Sequence, residues 1–153
     1  MVVVGLPLDT EVRMKRAMVG VVAAGLLLTG AGVALAAQQQ GSIPLLDTRG
    51  VEFAEGHYKF NPPGTNHGAF EWSGLLRDID TGDGHNVYVQ VRVEGHGWAR
   101  YYGKQQREVR MHHFNWSGAQ QYTNDAKIRA CRDRGSLRPD NCSPTLSLHY
   151  DRD

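Results

Sequence analysis

Four valines at alternate positions, Val87, Val89, Val91 and Val93, constrain this chain more than any other feature. Tyr88, Gln90 and Arg92 stand between them, and Glu94 follows. A two-residue period matches the pleat of a strand, where successive side chains point to opposite faces. β-Branched side chains pack well on a half-buried sheet, which is why they favour it. The segment therefore predicts a strand with a valine row in the core and a polar row outside. Gly95-His96-Gly97 ends it.

Other segments carry the same period more weakly. Phe70, Trp72 and Leu76 alternate with polar or small residues and predict a strand over 69–78. Asp80 to Asn86 is a cluster of turn formers, so this strand and the valine strand are expected to pair as an antiparallel hairpin. Further strands are predicted at 98–103, 107–116, 126–132 and 145–150. Within 107–116, Val109 and Met111 share one phase while Phe114 and Trp116 take the other. A bulge near His112-His113 would reconcile them, because one extra residue flips the alternation. No segment sustains a helical stripe, and there is no internal repeat. The expected fold is all-β, a single antiparallel β-sandwich or open barrel of about seven strands.

The beginning of the chain reads differently. Arg13, Lys15 and Arg16 precede an uncharged stretch from Ala17 to Ala37, which closes with Ala34-Leu35-Ala36. A basic cluster, an apolar run and a small-x-small site predict a signal peptide over 1–36. Asp9 and Glu11 are out of place in such a basic region, so Met14 is the expected true start. About 20 apolar residues could instead span a bilayer. Gly20, Gly25, Gly30 and Gly32 dilute this stretch, however, and the cleavage site terminates it. No membrane attachment is expected after cleavage.

Residues 37–66 read as an N-terminal arm holding at most a first strand, and 67–153 as the sandwich domain. The arm opens with Gln38-Gln39-Gln40-Gly41-Ser42 and closes with Asn61-Pro62-Pro63-Gly64. Ile43, Leu45 and Leu46 are too apolar for a plain linker and are expected to dock on a partner or on the domain itself. The chain carries 17 Lys plus Arg and 16 Asp plus Glu. Removing Asp9, Glu11, Arg13, Lys15 and Arg16 with the leader leaves the two signs balanced. A dedicated nucleic-acid binder draws its affinity from a basic excess, so nucleic acid is not an expected partner.

Cys131 and Cys142 are the two cysteines. Outside the cell such a pair is oxidised. The loop between them holds Asp133, Gly135, Pro139 and Asp140, all turn formers. In the chain-entropy model closing it contributes about 3 kcal/mol. Two thiolates holding a metal would need nearby histidines at closer spacing.

Three constellations could carry chemistry or binding. Glu108, Arg110 and His112 lie two residues apart and would share one strand face, offering the base, cation and acid of a metal-free nuclease. The same residues are ordinary on a solvated face. Asp78, Asp80 and Asp83, with Gly82 and Gly84, resemble a calcium loop. The third carboxylate comes one residue late and no Glu closes the loop, so a turn competes with that reading. Tyr88, Trp98 and Tyr101 could offer flat aromatic faces to a glycan, although buried Trp and Tyr also build sandwich cores. The seven histidines are scattered in sequence, and adjacent His112 and His113 point to opposite faces of a strand. No cofactor is expected.

Ile128-Arg129-Ala130-Cys131-Arg132-Asp133-Arg134-Gly135, continued by Pro139-Asp140-Asn141-Cys142-Ser143, resembles small secreted proteins of Streptomyces and related actinobacteria. Segment 74–93 is similar to them as well. The resemblance implies secretion, a β-rich fold and the disulfide, and it brings no catalytic residue with it. In size and in its N-terminal strap the chain is also similar to adaptor subunits of umbrella toxin particles. The expected function is a secreted, non-enzymatic protein-binding or adaptor module that uses Ile43, Leu45 and Leu46 to engage another secreted protein. A carbohydrate- or cell-wall-binding module and a small secreted nuclease are the alternatives.

Overall fold

A computed structural model of the chain describes residues 39–118 and 121–152, all within one compact unit, Ala34–Asp153. The leader predicted over 1–36, Met14 included, lies outside the described residues. Ten strands follow in order: β1 (Gln40–Ile43), β2 (Leu46–Thr48), β3 (Val51–Phe60), β4 (Phe70–Asp78), β5 (Val87–Val93), β6 (Ala99–Tyr102), β7 (Glu108–Asn115), β8 (Asp125–Arg132), β9 (Asn141–Cys142) and β10 (Leu146–His149). They form two antiparallel sheets. The front sheet runs β1-β3-β4-β7 with β2 also on β3, and the back sheet runs β10-β8-β5-β6 with β9 also on β8. The fold is all-β and open-edged, a sandwich and not a closed barrel. Among the described residues no helix is long and apolar enough to cross a membrane.

The valine row behaves as its period requires. Val87, Val89, Val91 and Val93 are buried on the inner side of the back sheet, beside Ala126, Ile128 and Ala130 of β8. Phe53, Phe60, Phe70, Trp72 and Leu76 cover them from the front sheet. This apolar burial supplies the main folding drive. Gly74 sits under the Phe53 ring, where an added Cβ would stand 2.3 Å from Phe53 Cζ, so a side chain there would force the two strands apart.

Two expectations about strand pairing are corrected. The hairpin predicted between 69–78 and the valine strand does not form: β4 belongs to the front sheet and β5 to the back, so Asp80 to Asn86 crosses between sheets. A turn cluster shows that the chain reverses but not which strand it meets next. The bulge expected at His112-His113 is absent, since β7 pairs with β4 without a break from Glu108 to Asn115. Phe114 accordingly faces outward against His112, ring centres 5.0 Å apart. A bulge lies instead in β3, between Ala54 and His57, with Glu55 at φ 51°. It lets Val51 and Phe53, then Phe60 at the opposite phase, all turn inward.

The N-terminal arm is corrected in the same way. Residue 40 onward is extended as expected, but the segment yields three strands of the front sheet, and β3 lies between β1 and β4. With the two-residue β9, this raises the strand number from about seven to ten. The Cys131–Cys142 disulfide is formed and joins β8 to β9.

Candidate functional site

The arm residues do not form a free docking element. Ile43 is 4% and Leu46 5% exposed, both in the core of their own domain, and only Leu45 remains exposed. Burying them within the sandwich gains the apolar area that a partner would otherwise have supplied.

The outer face of the front sheet gathers the acid, cation and histidine of β7 but directs each to a separate partner. Glu108 accepts from Arg77, which also donates to Glu52 at 2.8 Å. Arg110 lies 3.6 Å from Glu55. His112 Nε2 is 2.8 Å from Glu71 Oε1. Burial pushes the Glu71 carboxyl up, but hydrogen bonds from Asn61 and His112 outweigh it and hold it below its usual range. The predicted trio therefore shares a face without converging on one reacting atom, as general acid–base catalysis requires.

The acidic turn is also occupied by its own chain. Asp78 accepts from the backbone N–H groups of Asp80 and Gln106. Asp83 accepts from the His85 N–H and pairs with Arg132, which also lies 3.6 Å from Asp80. These carboxylates cap turns and neutralise a guanidinium instead of opening toward calcium. Among the described residues no group of three or more His, Cys, Asp or Glu side chains stands ready to hold a metal ion.

Two of the three residues proposed for a glycan face are covered. Tyr101 points inward: its hydroxyl accepts from Asn115 Nδ2 at 2.7 Å, and Asn115 Oδ1 accepts from Trp72 Nε1 at 2.9 Å. Tyr88 faces outward but is fully buried, roofed by Arg100, 4.8 Å above its ring, and by Tyr102. Its hydroxyl donates to Asp140. Burial first, then the Asp140 carboxylate, raises the Tyr88 pKa far above the ordinary phenol range.

Trp98 is the exception, half-buried on the outer face of the back sheet. Arg129 lies 4.4 Å and Arg92 5.9 Å from its ring centre. Such cation–π contacts hold a guanidinium in place without neutralising it. Arg129 Nε also donates to Gln90 Oε1 at 2.8 Å. The β5–β8 register sets Lys127 directly beside Arg92. Among the described residues no carboxylate forms a salt bridge with Arg92, Lys127 or Arg129, although the charge of Arg129 acts on Asp140. A hollow of about 500 Å³ adjoins them, bordered by Arg92, Lys127, His96, Glu94 and Asp125. At the opposite end of the face another, about 530 Å³, is bordered by Arg100, Arg138 and Asp140.

Sequence reasoning singled out Trp98 but passed over Arg92, Lys127 and Arg129. Each was legible as a member of a polar row. The meeting of Arg92 and Arg129 at one ring, with Lys127 beside Arg92, is set by the pairing of β5 with β6 on one side and β8 on the other. No protein-family model, curated protein or solved structure matches the chain.

Proposed function

We propose that this chain is a secreted, non-enzymatic adaptor module that docks an acidic partner protein on the outer face of its back sheet. The observation that carries the reading is Trp98 flanked by Arg92 and Arg129, with Lys127 beside Arg92 and, among the described residues, no carboxylate in a salt bridge with any of the three. Trp and Arg are the side chains that most often dominate binding energy at protein interfaces. Cations left without acids raise the local potential and steer an acidic surface into register. Secretion is supported by the basic, apolar and small-x-small pattern over 1–36 and by the disulfide, which persists in oxidising surroundings. The docking role assigned to Ile43 and Leu46 is given up, since both are buried in this domain.

The test uses the protein purified from culture medium and offered to the remaining secretome at low and high salt. One stoichiometric partner of acidic pI should be retained at low salt and released at high salt, because exposed charges are screened. Changing both Arg92→Glu and Arg129→Glu should abolish capture, while Arg110→Glu on the front face should leave it intact. Capture that survives the double reversal, or that ignores salt, would refute the assignment.

A further inference from the structure

Trp116 follows β7 immediately and is 44% exposed, unlike Trp72 in the core. The imidazole of His67 stacks on it, centres 5.0 Å apart and planes 18° from parallel. That stack depends on an unusual loop. Asn66 and His67 have φ of 47° and 58°, and Gly68 has 63°, a left-handed run that non-glycine residues seldom enter. The loop is held by Gly68 N–H to Thr65 O at 2.8 Å and by Thr123 N–H to Gly68 O at 2.8 Å. Position 68 must be glycine, because a Cβ would stand 2.2 Å from Gln121 O. The molecule thus holds a strained turn in place and thereby sets an imidazole flat beneath an exposed indole.

Trp116 borders two hollows. One, about 320 Å³, is shared with Val91, Val93, His96, Trp98 and Asn115. The other, about 410 Å³, is shared with His67, Ser117, Gly118 and Gln121. Both fall at the small end of the roughly 300–1,000 Å³ typical of ligand sites. Among the described residues neither lining holds an Asp, Glu, Lys or Arg, although 22% of the chain is charged. The linings offer aromatic faces together with the imidazoles of His67 and His96, the Gln121 amide and the Ser117 hydroxyl. Asn115 is tied to Trp72 and Tyr101 and so keeps the floor of the first hollow rigid.

We infer that Trp116, supported by His67, is the platform of a binding site for an uncharged glycan, with a sugar ring in each flanking hollow. A pyranose presents C–H groups on its faces and hydroxyls around its rim. The faces lie on an aromatic ring, and the hydroxyls exchange hydrogen bonds with imidazole, amide and hydroxyl groups. Among the described residues no Lys or Arg lines either hollow, and Arg92 and Arg129 lie beyond the first, on the Trp98 ring that borders it. The first hollow shares Trp98 and His96 with the Arg92–Arg129 surface, whereas Trp116 and His67, the residues substituted in the test, do not border the hollow beside Arg92.

The experiment titrates chitotetraose, cellotetraose and the acidic tetragalacturonate into the protein, following the three indole N–H signals by NMR. A neutral tetramer should shift the Trp116 signal with millimolar affinity and leave Trp72 still. Trp116→Ala should weaken binding about tenfold and His67→Ala about threefold, while an unmoved Trp72 signal certifies that each variant folds. Arg110→Glu should bind as the parent does. The inference is overturned if neither neutral tetramer moves Trp116, if Trp116→Ala binds undiminished, or if tetragalacturonate binds best.

Discussion

On the outer face of the front sheet, Arg77 lies between Glu52 and Glu108, Arg110 faces Glu55 and His112 faces Glu71. On the outer face of the back sheet, Arg92 and Arg129 flank Trp98 and Lys127 lies opposite Arg92. Both faces arise from the same alternation of polar and apolar residues, and both place cations at regular intervals. Cross-strand register separates two spots on them: it sets Glu108 opposite Arg77 on the front sheet and Lys127 opposite Arg92 on the back. Elsewhere the back sheet also pairs Arg100 with Asp140 and His149 with Asp125. Exposed ion pairs add little stability, so the front face gains neutrality more than strength. The cluster at Trp98 keeps its cations outside salt bridges among the described residues, and the proposed docking rests on that.

The largest effect is expected from removing the covalent tie on the back sheet. Changing Cys131→Ser together with Cys142→Ser should cost about 3 kcal/mol in chemical denaturation. It should also loosen the segment carrying Asp140 over Tyr88, so that the Tyr88 phenol titrates nearer its ordinary range by ultraviolet absorbance. A double variant that keeps both its stability and the raised Tyr88 pKa would show that the roof does not depend on the disulfide.

A smaller change would make the back face resemble the front. Gln90→Glu places a carboxylate where Gln90 Oε1 now accepts from Arg129. Capture of the acidic partner should fall about tenfold. Glu71→Gln on the front face should leave capture unchanged, as measured by the same secretome binding. Equal responses at the two positions would erase the functional distinction between the faces.

The smallest effect is in pH dependence, where two histidines should act with opposite sign. Burial, then the neighbouring His112, holds His113 below its ordinary pKa, between the rings of Trp72 and Tyr101. As pH falls below about 6.5 the unfolded chain takes up a proton that the folded one resists. Stability should therefore drop from there down to the folded pKa, and His113→Asn should flatten that slope. On the back sheet His149 bonds Asp125 and then Asp151, which raise its pKa. Its contribution is fully present below the unfolded value and fades as pH rises through the folded one. Melting temperatures between about pH 5 and 8 test both, and parallel slopes for His113→Asn and His149→Asn would contradict the assignment.

Six of the ten strands were readable from the sequence, most of them because they keep one phase over their length; in β7 the phase of Phe114 differs from that of Val109 and Met111. The ten-residue β3 was not readable. Its Val51-Glu52-Phe53 start and its Lys59-Phe60 end sit in opposite phases, and only the bulge at Glu55-Gly56 joins them. An interrupted period looks like loop, so the segment passed for an arm. For the candidate site, Trp98 could be singled out as an aromatic on a strand, whereas Tyr88, equally outward in pattern, proved to be roofed by Asp140, Arg100 and Tyr102. Strand periodicity tells which side of a sheet a residue takes but not what the loops lay over it.

The amino-acid order by itself determined the all-β class, the inward valine row and the pairing of the two cysteines, because each follows from local geometry or from having no alternative partner. Which strands lie side by side was decided only in the folded molecule, and with it the meeting of Arg92 and Arg129 at Trp98 and of His67 at Trp116. Those neighbours are distant in sequence. Contacts of that kind depend on the closure of long loops and on the packing of whole sheets, which no local period encodes.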